Sequence, residues 1–113
     1  MTWRARVSVA GAVVVAALAA CETNRPQPRT HQVDIRAMKF VPAELAVSVG
    51  DTVVWTNHDI VPHTVTSLPT AVVAFDSQSI ESNQRWTYTV TTAGELAYEC
   101  SFHPTMTAKL VAK

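Results

Sequence analysis

The sequence predicts an all-β fold, a sandwich or barrel of six or seven short strands. Three observations carry that reading. From Gln32 onward apolar residues recur with period two rather than 3.6, the runs are rich in β-branched and aromatic residues, and each is short and closed by a turn signal. Val33, Ile35 and Ala37 alternate with Asp34, Arg36 and Met38; Leu45, Val47 and Val49 then alternate with Ala46 and Ser48 until Gly50-Asp51 breaks the run. Thr52 to Thr56 resumes it through Val53, Val54 and Trp55, and Thr64-Val65-Thr66 adds a short piece. Trp86, Tyr88 and Val90 share one face, Ala93-Gly94-Glu95 turns, Leu96, Tyr98 and Cys100 share the next, and Lys109 to Ala112 follows. Gly50 and Gly94 both fall where a strand must reverse, which is where a residue without Cβ relieves strain. No stretch reads as a helix of more than a turn or two, and Trp55 and Trp86 read as core.

Ahead of the strands, residues 1–20 read as an export signal. Arg4 and Arg6 are cationic, and Val7 to Ala20 is an almost unbroken apolar run, shorter than the ~20 residues a membrane span requires. Leu18-Ala19-Ala20-Cys21 resembles the lipobox of bacterial lipoproteins. The resemblance implies cleavage before Cys21, lipid on that residue, and a domain anchored at the periplasmic or cell-surface face. Residues 21–31 are then the lipidated N-terminus and a polar, proline-bearing tether able to reach roughly 30 Å. His31 is expected to be solvated within it. Residues 32–113 form the folded domain.

Composition excludes several functions. The chain has 113 residues, enough for one small domain, and its 9 basic residues balance 9 acidic ones. That leaves no electrostatic case for nucleic acid, whose binding needs a clustered cationic face. Only 3 glycines occur, so neither a phosphate-cradling loop nor a dinucleotide fingerprint can be written. With 48% apolar and 16% charged residues, the chain is not of disordered composition.

The chemistry concentrates near the end of the sequence. Cys100-Ser101-Phe102-His103-Pro104-Thr105-Met106 spaces a thiol, an imidazole and a thioether three residues apart, and His63 supplies a second imidazole from a distant loop. Taken alone, a cysteine near a strand end reads as a buried hydrophobe. Together, two histidine nitrogens, one cysteine sulfur and a weak methionine sulfur are the ligand set of a blue-copper electron-transfer site. A free thiol in an exported domain also invites an explanation, which metal ligation supplies.

At this point the resemblance becomes specific. Lys39-Phe40-Val41-Pro42, Val49-Gly50-Asp51-Thr52-Val53-Val54-Trp55-Thr56-Asn57, Pro62-His63-Thr64-Val65, Phe75-Asp76-Ser77, Gly94-Glu95-Leu96-Ala97-Tyr98-Glu99-Cys100 and His103-Pro104-Thr105-Met106 occur in the order typical of cupredoxins. The chain is similar to the plastocyanin and amicyanin branch of that family over roughly residues 33 to 112. The resemblance implies a Greek-key sandwich of two sheets with seven or eight strands, and one type 1 copper ion held by His63, Cys100, His103 and Met106. It implies no enzyme but a monomeric electron carrier. His103 would be its exit edge, ringed by a docking patch of Ile60, Val61, Pro62, Pro104 and Thr105 for transient redox partners.

Around the ligands, Asn57 and Thr64 are expected to tie the loops together, with a backbone N–H near Thr64 bonding the Cys100 sulfur. Phe102 either shapes the loop or fills core. Departures from the family pattern are Asn83 and Ala108 where glycine is common, and His58-Asp59 ahead of His63. His58 reads as a solvated loop residue, with an auxiliary metal contact as the alternative. Two other functions use similar donors. A periplasmic copper chaperone or store would pass on the ion, with His58, Met38 and His31 as entry residues. A zinc enzyme would use His63, Cys100 and His103 with water, which the poor zinc ligand Met106 disfavours.

Overall fold

The computed structural model describes residues 1–3, 5–13 and 27–113. Cys21 and most of the expected tether lie outside the described residues. Residues 1–3 and 5–13 are exposed and carry no regular secondary structure, and no described helix is long and apolar enough to cross a membrane.

Eight strands form two four-stranded sheets: β1 (Thr30–Arg36), β2 (Lys39–Val41), β3 (Glu44–Val47), β4 (Thr52–Asn57), β5 (Thr66–Ser67), β6 (Arg85–Thr89), β7 (Gly94–Cys100) and β8 (His103–Ala112). One sheet has the order β2-β1-β4-β6 and the other β3-β8-β7-β5. Both are mixed, since β1 runs parallel to β4 and β3 parallel to β8. The chain crosses repeatedly between sheets, as in a Greek-key sandwich.

The two inner faces supply the core. Val33 and Ile35 of β1, Val53 and Trp55 of β4, Leu96, Tyr98 and Cys100 of β7, and Leu110 of β8 are all fully buried. Their period-two spacing is what makes each strand one-sided. Tyr98 sits at the centre, with the Phe40 ring 4.9 Å away and the Trp55 ring 5.6 Å away, both edge to face. Trp55 Nε1 donates to the Tyr98 hydroxyl at 3.2 Å, so the two polar atoms that these rings bring inside satisfy each other. Burial pushes the Tyr98 phenol well above its ordinary value, against the smaller opposing effect of that bond. Trp86 is half-buried, packed against this cluster rather than within it.

Several details depart from the sequence reading. Ala37 does not extend the first strand: Ala37 and Met38 both have positive φ, 49° and 61°, and form a two-residue turn between the paired Arg36 and Lys39. That is the left-handed geometry a tight hairpin demands, in residues that give no sequence signal for it. The piece expected at Thr64-Val65-Thr66 is strand only at Thr66–Ser67, and β8 begins six residues before Lys109, at His103. Val49 is exposed beyond the end of β3. Asn83 adopts φ 64°, the conformation glycine would have taken. Gly94 is required by space as well as by its φ of 127°, because a Cβ there would lie 2.8 Å from Val72 Cγ1.

His31 is also not solvated tether. It lies in β1, paired with Val53, and its Nε2 lies 2.8 Å from Asp51 Oδ2. Asp51 accepts further bonds from the backbone N–H of Arg29 at 2.9 Å and of Ser48 at 3.0 Å. The Arg29 amide, then His31, then the Ser48 amide pull its carboxyl from the ordinary 3.8 to about 2. Because the folded group is the stronger acid, its stabilising contribution is complete above about pH 4 and is lost as the pH falls towards 2. Urea titrations between pH 5 and pH 2 are therefore expected to show stability declining through this window. The Asp51→Asn variant should be less stable at pH 5 and lose less on acidification; a parental slope in that variant would assign the decline to other groups.

Candidate metal centre

The loop after β4 is built around Asn57, whose fully buried side chain has every polar atom occupied. Its Nδ2 donates to the carbonyls of Val61 and Ile80, each at 2.9 Å, and its Oδ1 accepts the Asp59 N–H at 2.9 Å. The last bond closes an Asx-turn, the local structure that asparagine favours over continued strand. The Asn57 carbonyl accepts the Asn83 N–H at 2.8 Å, so one residue joins the loop after β4 to the loop before β6.

His63 is delivered by this loop and clamped by a backbone bridge, its N–H donating to Ile80 O at 3.1 Å and its carbonyl accepting the Ile80 N–H at 2.7 Å. The ring is fully buried. Its Nε2 lies 2.8 Å from Asp59 Oδ2, and since a carboxylate only accepts, Nε2 carries the proton and Nδ1 presents a lone pair inward. Asp59 is held in turn by the N–H groups of Ala37 at 2.7 Å and Met38 at 3.0 Å. Partial burial raises its pKa, but the bonds from Met38, His63 and Ala37 outweigh that effect and leave it below the ordinary value.

Cys100 ends β7, fully buried. The ladder between β7 and β8 pairs Glu99 with Thr107 and then Cys100 with His103, so one step on β7 corresponds to four on β8. The extra residues Pro104, Thr105 and Met106 bow out of register, helped by a proline that has no N–H for the ladder. This excursion breaks the strict alternation of the strand, and a regular strand could not turn both His103 and Met106 inward.

The result is a triangle of soft donors. Cys100 Sγ lies 3.7 Å from His63 Nδ1 and 3.7 Å from His103 Nδ1, and the three ligand atoms all fall within 4.8 Å of one another. Neither Nδ1 has another hydrogen-bond partner among the described residues. With arms of about 2.3 Å to sulfur and about 2.0 Å to nitrogen, as for a first-row ion, each 3.7 Å edge subtends about 120°. The donors therefore fit one ion in a trigonal His₂Cys arrangement. Met106 is buried in β8 and belongs to the core cluster.

Thr64 binds the two halves of the site. Its N–H donates to Cys100 Sγ at 3.3 Å, and its Oγ1 accepts the Ser101 N–H at 2.7 Å and lies 3.0 Å from Ser101 Oγ. The thiol thus has a dipole aimed at it, which favours the negatively charged sulfur. The sequence marks Asp59 only as part of a departure ahead of His63 and assigns no role to it or to Ser101. A carboxylate four residues ahead of a ligand histidine, and a hydroxyl next to a ligand cysteine, were the available signals.

His58 stands apart from the donors. Its half-exposed ring bonds Asp34 Oδ1 through Nε2 at 2.9 Å, and Arg36 bonds the other oxygen of the same carboxylate. The His58 bond leads the interactions that lower the Asp34 pKa. Phe102 does not fill core: it is 52% exposed. It stands beside His103, which is half-buried, while Ile60, Val61, Pro62, Pro104 and Thr105 are all exposed.

Comparison with known proteins places this arrangement in context. Residues 29–113 match the model of the copper binding proteins of the plastocyanin/azurin family. Amicyanin from Paracoccus denitrificans is 37% identical over 83 residues, 72% of this chain and 63% of that protein. Amicyanin-alpha from Methylorubrum extorquens is 28% identical over 116 residues, 100% of this chain and 98% of that protein. This chain thus spans less than two thirds of the Paracoccus protein's length. Among solved structures, a methionine-to-alanine mutant of amicyanin in its Cu(I) form superposes with a TM-score of 0.69 at 35% identity, over 74% of this chain and 82% of that one. An oxidised proline-to-alanine mutant of amicyanin gives the same TM-score, 0.69, at 36% identity.

Removing the carboxylate that orients a ligand histidine typically weakens metal binding 10–100-fold. Asp59→Ala is expected to lower Cu(II) affinity by about that factor in competition with a chelator, with the far-ultraviolet circular dichroism of the sandwich retained. Parental affinity in the variant would show that His63 is oriented by its backbone clamp alone.

Proposed function

Because this chain belongs to the plastocyanin/azurin family of copper-binding proteins, we propose that it is a type 1 copper electron carrier of the cell envelope. It takes one electron from a redox partner and gives it to another. The observation that carries this reading is the Nδ1–Sγ–Nδ1 triangle with the Thr64 N–H on its sulfur. His63, Cys100 and His103 would hold the ion, with Met106 as a weak additional sulfur donor. Copper, when bound, supplies a one-electron couple; the protein supplies a cage that changes little between the two states.

Each residue has a separate task in that cage. Cys100 and His63 are fully buried and keep water from the ion. Asp59 fixes the His63 tautomer. The bridge to Ile80 and the Thr64–Ser101 clamp hold the donors near their final separations, so little rearrangement accompanies the change of charge. His103, half-buried where His63 and Cys100 are fully buried, is the edge by which the electron leaves. Ile60, Val61, Pro62, Pro104 and Thr105 surround it as a docking patch, which Phe102 extends. A small apolar patch suits the brief encounters that a monomeric carrier makes with its partners.

Residues 1–20 and Cys21 support export and lipid anchoring of the domain, at the periplasmic or cell-surface face. The competing reading, a copper chaperone or store, uses the same donors but requires the ion to leave. Here the two expected entry imidazoles are engaged elsewhere, His31 with Asp51 and His58 with Asp34.

Addition of Cu(II) to the purified domain is expected to give intense visible absorption, narrow hyperfine splitting in electron paramagnetic resonance, and a reversible one-electron wave with the ion retained. Cys100→Ala should abolish the colour and leave the sandwich folded. Ready transfer of Cu(I) to a competing ligand, with no reversible wave, would instead identify a chaperone.

A further inference from the structure

A series of hydroxyl groups leads from the protein surface to Thr64, whose backbone N–H is the donor on the Cys100 sulfur. The exposed Asp76 accepts from Thr66 Oγ1 at 3.2 Å, and the same carboxylate oxygen accepts the Gln78 N–H at 2.8 Å. Thr66 Oγ1 lies 2.9 Å from Thr64 Oγ1. Thr64 Oγ1 lies 3.0 Å from Ser101 Oγ and 2.7 Å from the Ser101 nitrogen. Backbone pairing between Thr66 and Asp76 keeps the outer pair in register.

The direction of the chain is fixed from its outer end. A carboxylate can only accept, and each hydroxyl owns one proton. Thr66 therefore directs its proton to Asp76 and accepts from Thr64. With its own proton committed to Thr66, Thr64 Oγ1 is left as an acceptor for both the O–H and the N–H of Ser101. Hydrogen bonds in such a series polarise one another in the same sense. Ser101 follows Cys100 directly, and the Thr64 N–H is the donor on Cys100 Sγ. Without the outer acceptor the Thr64 proton can turn towards Ser101, and the clamp that seats the Thr64 amide on the sulfur loses its order.

We propose that Asp76, acting through the hydroxyls of Thr66 and Thr64, is a positioning residue for the Cys100 sulfur. Resting on the copper reading, the consequence is electrochemical. The positive end of the Thr64 N–H dipole favours the state of the site that carries the additional electron, so loosening it lowers the reduction potential.

The test uses the full chain, both copper-free and Cu(I)-loaded, with Thr66→Val and Asp76→Ala breaking the relay and Thr66→Ser and Asp76→Asn preserving its donor and acceptor. Hydrogen exchange of the Thr64 and Ser101 amides is followed by nuclear magnetic resonance, and the potential by voltammetry. In the breaking variants both amides are expected to exchange about fivefold faster, the factor corresponding to one net hydrogen bond. The core amide of Leu110 should keep its parental rate, the potential should shift downward, and the preserving variants should behave as the parent. Parental exchange at Thr64 and Ser101 in Thr66→Val overturns the proposal, as does equal acceleration at Leu110, which is general loosening. Faster exchange with an unshifted potential overturns the electrochemical role. Should the chain bind no copper, exchange in the copper-free protein still decides the positioning role, and it is the electron-carrier reading that falls.

Discussion

His63 can turn only one ring nitrogen towards Cys100, and the carboxylate of Asp59 determines which. With Nε2–H held at 2.8 Å by that carboxylate, Nδ1 faces the sulfur as a lone pair. The same oxygens receive the amides of Ala37 and Met38, two residues with side chains in a left-handed turn. Such a conformation costs roughly 1–2 kcal/mol per residue, and charge-assisted bonds to both amides offset it. The β1–β2 turn and the imidazole therefore share one anchor. A change in the hairpin reaches the site without touching a ligand.

The opposite end of β4 repeats the device. Asp51 precedes the strand and collects the amides of Arg29 and Ser48 and the ring of His31, much as Asp59 beyond its other end collects two amides and the ring of His63. Both carboxylates are held in the ionised form by N–H donors rather than by a lysine or arginine. What distinguishes the ends is the company the histidine keeps. His31 lies in a β-ladder beside Val53, whereas His63 lies in a loop that folds back over the end of β7. The Cys100 sulfur lies within reach of one of these rings, and the other has only its carboxylate for company.

Much of this was legible in the sequence. The period-two pattern located the strands of both inner faces, because burial on one side of a pleat imposes that period wherever the sheet lies. The donors were legible because His63 and the Cys100–Met106 segment have few other uses in that combination. What was not legible depends on who meets whom across the sandwich. Ala37 and Met38 carry no turn propensity, and their geometry is stabilised by a carboxylate 21 and 22 positions away. His31 looked like linker because its partner, Asp51, is distant in sequence. Phe102 reads as apolar and is exposed, because it sits on the turn between β7 and β8, where Ser101 beside it is exposed as well. Thr64 was expected to tie loops, but Ser101, Thr66 and Asp76 became visible only once β5 and its neighbouring loop were in place.

The placement of β8 has a bearing on the order in which the molecule assembles. Last of the eight strands in sequence, it is nonetheless interior to its sheet, between β3 and β7. Until it docks, β3 has no neighbour at all and β7 is flanked only by the two residues of β5. Non-local pairings of this kind form late, because loop closure must come before they can stabilise anything. A chain emerging from its N-terminal side, through a ribosome or a translocation pore, thus presents His63 and then Cys100 before any cage exists. The donor triangle closes only when the sandwich shuts, and a half-formed domain offers passing metals no complete set of donors.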